Sequence, residues 1–343
     1  MKQRRIFFLH PKIKCEEDVR KYIKINEKNL GFEFVWDEAN PDYLFVSECF
    51  YTIQNYEKLF FNKRYTEAIK IFFSGECIEP DLNLFDYSVV FNKNLKCEDR
   101  IGRIPLVLFY FDKIDLGNQT VLSKKDLENK KYFCNFIYSN ANAHPKRDEL
   151  FHVVSKYKKV DSLGKHLNNT NNPYPRESEN WKENSIKLKS GYKFSISAEN
   201  AMFQGYTSEK IMTSFLSRSI PIYWGNPLVD LEFNSKAFIN AGNFDVEEEL
   251  LEFIKRIDND NNLWLEMINE PWQTKEQIER SKIEYDDYKR YIQNIFLQSK
   301  IDAKRCGEGT FPSIYTDWCN NRRQTKNTAV IKKMSHFLRE IKL

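Results

Sequence analysis

Three short apolar runs in the first part of the chain end in polar residues: RRIFFLH (Arg4–His10), DYLFVSE (Asp42–Glu48) and AIKIFFSGE (Ala68–Glu76). Each intervening stretch is long enough for a helix or a crossover, so the alternation predicts strands of a largely parallel sheet. A further run, IPLVLFYF (Ile104–Phe111), is either another strand or a stretch that docks on the sheet. From about Asp112 to Lys130 the chain turns polar and mixed, as at a linker or domain edge.

The pattern then restarts. YFCNFIYSN (Tyr132–Asn140) ends in polar residues, and PKRDELFHVVSKY (Pro145–Tyr157) places Leu150, Val153, Val154 and Tyr157 at helical spacing. KKVDSLG predicts a short strand with a turn, and YKFSISAEN (Tyr192–Asn200) a strand that alternates imperfectly. SEKIMTSFLSR carries Ile211, Met212, Phe215 and Leu216 on one helical stripe, and IPIYWG is a buried strand stopped by Gly225. DVEEELLEFIKRI predicts a helix with Asp245 as N-cap. Two successive units of this kind predict an α/β protein with two Rossmann-like domains, parallel sheets facing a central cleft. The expected boundaries are 1–125 and 126–272, followed by a helical, basic segment at 273–343 that is free to pack back on the first domain.

Composition narrows the function. The chain has 343 residues, 41% of them apolar and 15% aromatic, enough for two packed cores. Its 53 basic and 49 acidic residues nearly cancel, which argues against a nucleic-acid binder. From Ser281 onward, however, thirteen Lys and Arg face seven Asp and Glu, a surplus of six against a whole-chain charge of +4. That tail suits phosphates or a peripheral contact with anionic lipid, and equally a solvated helix face. Seven scattered cysteines without a CxxC pair fit a reduced, cytoplasmic setting, with the inner face of a membrane as the alternative. No apolar run approaches the roughly 18 residues of a membrane span.

In open parallel sheets, ligands gather at the carboxyl ends of strands. Glu76, Arg147, Glu199 and Asn200 all fall at or just past such ends. Glu209 and Lys210 open the helix that starts near Ser208, where free N–H groups and Lys210 would welcome a phosphate. Glu209 beside them suggests that the ligand also offers hydroxyls. Each residue also has a structural alternative: Glu209 as a dipole partner, Lys210 and Arg147 as surface cations, Tyr206 as packing, Glu76 as a turn cap. Their joint placement carries the functional reading. GxGxxG, the P-loop and HExxH are absent, and Asp258-Asn259-Asp260, although shaped like a metal-holding DxD, follows a helix instead of a strand, so no metal is assigned.

Tyr192-Lys193-Phe194, Ala198-Glu199-Asn200, Tyr206-Thr207-Ser208-Glu209-Lys210 and Ile220–Gly225 stand in the order of the signature of the bacterial GDP-fucose-dependent α1,3-fucosyltransferases of glycosyltransferase family 10. FNSKAFIN, WLEMINEP, FFSGECIEPDLNLFDYSVVF and YSNANAHPKRDELF extend the resemblance over roughly Ile71–Trp272. The chain thus resembles this family. The resemblance implies a GT-B fold and inverting transfer of L-fucose from GDP-fucose to the 3-OH of GlcNAc in N-acetyllactosamine-type glycans, such as a lipopolysaccharide side chain or Lewis antigen. It makes Glu76 the general base, Arg147 and Lys210 the pyrophosphate ligands, and Asn200, Tyr206 and Glu209 donor-site residues. Glu199 lies in the motif with a less defined role.

GDP-fucose and a glycan are the implied partners, with no cofactor required and metal stimulation left open. Two departures stand out, Ala198 for Phe and Ser208 for Thr. Serine keeps the hydroxyl and is expected still to cap the helix. The lost phenyl group leaves another nucleotide sugar as the alternative, and an α1,4 linkage stays open beside it, both ahead of a non-catalytic glycan- or nucleotide-binding protein on the same fold.

Overall fold

The protein is described from a computed structural model, over residues 2–48, 64–105, 107–108, 119–170 and 180–307. Most of the basic tail, residues 106 and 109–111 of the IPLVLFYF run and residues 112–118 of the expected linker lie outside the described residues. Contacts divide the chain into two units. The first takes its described residues from Met1–Val90, Leu95–Arg103 and Asp286–Leu343, the second from Phe91–Asn94 and Ile104–Tyr285.

In the first unit β1 (Lys2–Leu9), α1 (Glu16–Ile23), β2 (Phe32–Trp36), β3 (Tyr43–Ser47), β4 (Ile69–Phe73), β5 (Tyr87–Val90) and β6 (Ile101–Arg103) follow one another. The strands pair in parallel in the order β2-β1-β3-β4-β5-β6. The three apolar runs of the first part are β1, β3 and β4, the middle of the sheet. Every residue of β3 and β4 is buried, because a parallel sheet is covered on both faces. Phe7, Leu44, Val46 and Phe72 build the core on one face with Tyr65, Leu84 and Phe85. Phe8 and Phe45 stack with ring centroids 5.2 Å apart.

The second unit contains α2 (Lys124–Leu127), β7 (Tyr132–Phe136), α3 (Lys146–Ser155), β8 (Val160–Ser162), α4 (Trp181–Lys189), β9 (Tyr192–Ala198), α5 (Glu209–Leu216), β10 (Ile220–Trp224), β11 (Ile239–Asn240), α6 (Glu247–Asn259) and α7 (Asn261–Asn269). Its parallel sheet has the order β11-β10-β9-β7-β8. Phe194, Ile196 and Ala198 of β9 enter one core with Leu150, Val154, Leu250, Ile254 and Trp264. Ile211, Met212 and Phe215 of α5 enter another with Tyr223, Phe238 and Trp272. The imperfect alternation of YKFSISA now has a cause. Ser195 and Ser197 are buried, and their hydroxyls bond to Asn135 Oδ1 at 2.9 Å and Ser214 Oγ at 2.8 Å.

One local expectation changes, and two details are added. Helix α6 starts at Glu247 with Val246 in the N-cap position, so Asp245 is not the cap; Glu247, Glu248 and Glu249 meet the helix dipole instead. Val107, from the IPLVLFYF run, packs into the core around Met212 and Phe215 and is not in a strand. Ile104 and Val107 accordingly group with the second unit, upstream of the boundary drawn at 125.

Helices α8 (Lys275–Leu297) and α9 (Lys300–Ala303) close the described chain. From Asp286 on, α8 packs against the first sheet. Phe296 lies 4.6 Å from Tyr43 and 5.0 Å from Phe34, ring centre to ring centre. Tyr288 Oη donates to the Ile23 carbonyl at 2.9 Å, and Tyr291 Oη reaches the Arg100 carbonyl at 2.9 Å. A Cβ on Gly102 would stand 2.1 Å from the Tyr291 ring, so β6 needs glycine where α8 crosses it.

Candidate active site

In the second sheet the chain leaves β7 toward β8 on one side, then returns through β9 and runs to β10 and β11 on the other. The carboxyl ends of β7 and β9 therefore flank a topological switch point, where the diverging connections open a crevice. Asn140 and Arg147 follow β7, and Glu199 and Asn200 follow β9. Arg147, in the first turn of α3, is 1% exposed. Its Nη1 donates to Asn200 Oδ1 at 3.0 Å and its Nη2 to the Asn140 carbonyl at 2.6 Å. The guanidinium lies over the Tyr138 ring, 4.5 Å from its centre. Tyr138 Oη in turn accepts from Ala198 N at 2.7 Å and donates to the Ile196 carbonyl at 3.0 Å. One tyrosine thus pins the end of β9 and supports the arginine.

Glu199 is fully buried one residue past β9, its N–H bonded to the Trp224 carbonyl at 2.8 Å. Three donors meet its carboxylate: Ser208 N at 2.7 Å, Ser208 Oγ at 2.6 Å and Lys210 Nζ at 3.0 Å. Lys210 Nζ also reaches Ser208 Oγ at 2.8 Å, and Glu209 lies 3.8 Å away. Burial opposes the charge on Lys210, but the Glu199 and then the Glu209 carboxylates hold its pKa well above the ordinary value. Burial pushes the Glu199 carboxyl up, against the pull of Lys210.

Ser208 occupies the N-cap position of α5, yet its side chain makes no cap bond. This corrects the expected role of its hydroxyl, which the buried Glu199 carboxylate takes because an unsatisfied buried acid costs more than an uncapped helix end. Gly225 makes this packing possible. It has φ +152°, and a Cβ there would meet Glu199 Cγ at 2.4 Å.

The loop from β9 to α5 is tied from below by Asn226. Its Oδ1 accepts from Gly205 N at 2.7 Å and its Nδ2 donates to Thr207 Oγ1 at 2.8 Å. Tyr206, 1% exposed, packs edge-on against Phe91 at 5.2 Å. Arg147, Asn200, Glu199, Glu209 and Lys210 are thus joined in two linked clusters, with Tyr206 anchoring the loop between them. Glu76 belongs to the first unit. It is exposed three residues past β4, in a turn closed by Ser74 Oγ, which accepts from Glu76 N at 3.1 Å and donates to its carbonyl at 3.0 Å.

The carboxylates of the DxD-like triplet have other work. Asp258 receives Lys193 Nζ at 3.0 Å, Tyr157 Oη at 3.0 Å and the Lys158 ammonium. Asp260 caps α7 by accepting from Asn262 N at 2.8 Å. Among the described residues no group of three His, Cys, Asp or Glu is placed to hold a metal ion.

Two family models match the chain. The model described as "Glycosyltransferase family 10 (fucosyltransferase) C-term" matches residues 127–306, which include every residue of both clusters. The model of the "Alpha-(1,3)-fucosyltransferase FucT N-terminal domain" matches residues 18–110, which include Glu76. The chain belongs to glycosyltransferase family 10. It is 29% identical over 240 residues to the alpha-(1,3)-fucosyltransferase FucT of Helicobacter pylori, covering 60% of this chain and 48% of that one. It is 26% identical over 243 residues to the GDP-fucose protein O-fucosyltransferase 3 of Xenopus tropicalis, covering 66% and 49%. The chain therefore spans about half the length of these relatives. A crystal structure of an alpha1,3-fucosyltransferase superposes with a TM-score of 0.64 at 22% identity, over 84% of this chain and 90% of that one, so the α/β GT-B fold is shared.

Within this family-10 chain, sequence reasoning missed Tyr138, Asn226 and Lys189. Tyr138 and Asn226 stand just after strands, the one signal that the chain offers for them. Lys189, at the end of α4, carries no such signal.

Proposed function

We propose that the chain transfers L-fucose from GDP-fucose to the 3-OH of GlcNAc in an N-acetyllactosamine-type glycan, with inversion. The observation that carries this reading is the pairing, at one switch point, of Arg147 on Asn200 with Lys210 at the start of α5. Displacement of a nucleoside diphosphate requires positive charge where the leaving group gathers negative charge. Arg147, Lys210 and the first-turn N–H groups of α5 supply it around the pyrophosphate. Asn200 and Glu209 offer partners for ribose or fucose hydroxyls, and Tyr206 holds the loop that carries them.

Glu76 is the proposed general base. The acceptor oxygen attacks the anomeric carbon of fucose, its proton passes to the Glu76 carboxylate, and the bond from that carbon to the phosphate oxygen breaks as GDP departs. An exposed carboxylate at the end of a sheet strand suits this role, since it must meet an acceptor arriving from solvent.

Incubation with GDP-fucose and N-acetyllactosamine, followed by linkage analysis, tests the reading. An α1,3-fucosylated product is expected; GDP-fucose left intact beside a full panel of glycans would contradict it. A second reading, a protein hydroxyl as acceptor, is favoured by the likeness to the O-fucosyltransferase. Fucose on protein or peptide with none on glycans would establish it.

A further inference from the structure

Lys189 is a buried cation that the reaction above does not use. It ends α4, is 5% exposed, and points its ammonium under the first turn of α5. Nζ donates to Thr213 Oγ1 at 2.8 Å and Ser214 Oγ at 3.0 Å, with the Lys210 carbonyl at 3.5 Å. These partners are neutral oxygens; among the described residues no carboxylate lies within ion-pair distance of it. A buried charge without a counter-ion is costly, so its retention calls for a reason.

The hydroxyls it touches converge on Lys210. Thr213 Oγ1 reaches the Lys210 carbonyl at 3.0 Å, Ser214 Oγ at 3.2 Å and Ser197 Oγ at 3.3 Å, and Ser197 and Ser214 lie 2.8 Å from each other. An ammonium can only donate. While Lys189 is charged, the Thr213 and Ser214 hydroxyls must accept from it and turn their own protons toward the Lys210 carbonyl or Ser197. A neutral amine has a lone pair and lets those protons turn back.

We propose that Lys189 is a positioning residue for the donor pyrophosphate: its ammonium fixes the direction of this hydroxyl network, holds the Lys210 turn in place, and adds a positive charge beneath the site to those of Arg147 and Lys210. The proposal rests on the donor-site reading above and adds a regulatory property, since the charge state of Lys189 then sets the affinity for the nucleotide sugar. The charged or titratable groups around Lys189 are Glu209 and Lys210 on α5 and Cys134 on β7. Burial is the largest influence and brings the Lys189 amine down to about 7, with Glu209 pulling upward and Lys210 downward. A bound anion raises that value again. Affinity should therefore be steady below pH about 7 and fall as the pH rises through the range where the free protein loses this proton before the complex does.

The test is calorimetric titration of GDP-fucose, whose pyrophosphate diester has no proton to lose between pH about 6 and 8.5, into the wild-type chain and Lys189→Met. The expected result is a wild-type affinity that falls above pH about 7, and a variant about tenfold weaker at the acid end with no such fall. Equal affinity and equal pH profiles would overturn the proposal while leaving the donor site standing. No wild-type binding at any pH would remove the donor-site reading and this proposal with it. Should Lys189→Met fail to fold by circular dichroism, Thr213→Val decides: a displaced pH profile supports the network, and a profile identical to wild type overturns it.

Discussion

Gly225 and Glu199 constrain each other closely. A methyl group at residue 225 would stand 2.4 Å from Glu199 Cγ and 2.7 Å from its Cβ, on a backbone that side chains rarely adopt. Gly225→Ala is expected to destabilise the fold by about 1–3 kcal/mol and, by moving the carboxylate that holds Ser208 and Lys210, to weaken GDP binding as well. Thermal melting and GDP titration check both effects. Asp258 makes a prediction in pH. Burial pushes its carboxyl up, but Lys158 and then Lys193 more than offset this and hold it below the usual 3.8. A depressed carboxylate contributes stability above its unfolded value and loses it as pH falls through the folded one. The stability gap between wild type and Asp258→Asn should thus be full at neutral pH and close below pH about 4, as urea melts across that range would show.

The elements that were legible in the chain are the ones whose burial is simple. Strands β3, β4 and β10 and the second half of β1 are nearly continuous apolar runs because both faces of a parallel sheet are covered. Strand β6, only Ile101–Arg103, is too short to carry a pattern, and β5, Tyr87–Val90, hides behind Ser88. Among the proposed site residues, the placement of Arg147, Asn200 and Lys210 at strand ends and a helix start was legible, because the runs that set those ends are simple. The partnership of Ser208 with Glu199 was not, since it depends on which acceptor a buried hydroxyl finds, and that choice is made by tertiary packing. At this scale the C-terminal part of α8 offers the clearest test. Phe296 is fully buried among Phe32, Phe34, Tyr43 and Phe45, so Phe296→Ala should cost about 3–5 kcal/mol. A loss below about 1 kcal/mol in denaturant melts would mean that α8 is not part of the first unit's core.

For the molecule as a whole, each of the two units has its own parallel sheet and its own aromatic core. The proposed chemistry is divided in the same way, with Glu76 in the first unit and the donor residues in the second. The division predicts separable defects. Lys210→Ala should weaken GDP binding at least tenfold, roughly 1.4 kcal/mol, because the cation nearest Glu199 and the start of α5 is lost. Glu76→Ala should leave GDP binding unchanged, since the proposed donor residues all lie in the second unit. Among the described residues no helix is long and apolar enough to cross a membrane.

The most direct measurement of the central claim is fucose transfer and GDP affinity determined side by side for wild type and Glu76→Ala. The account predicts unchanged GDP affinity with transfer reduced by about 10²–10⁴-fold. Near-normal transfer by Glu76→Ala would contradict it.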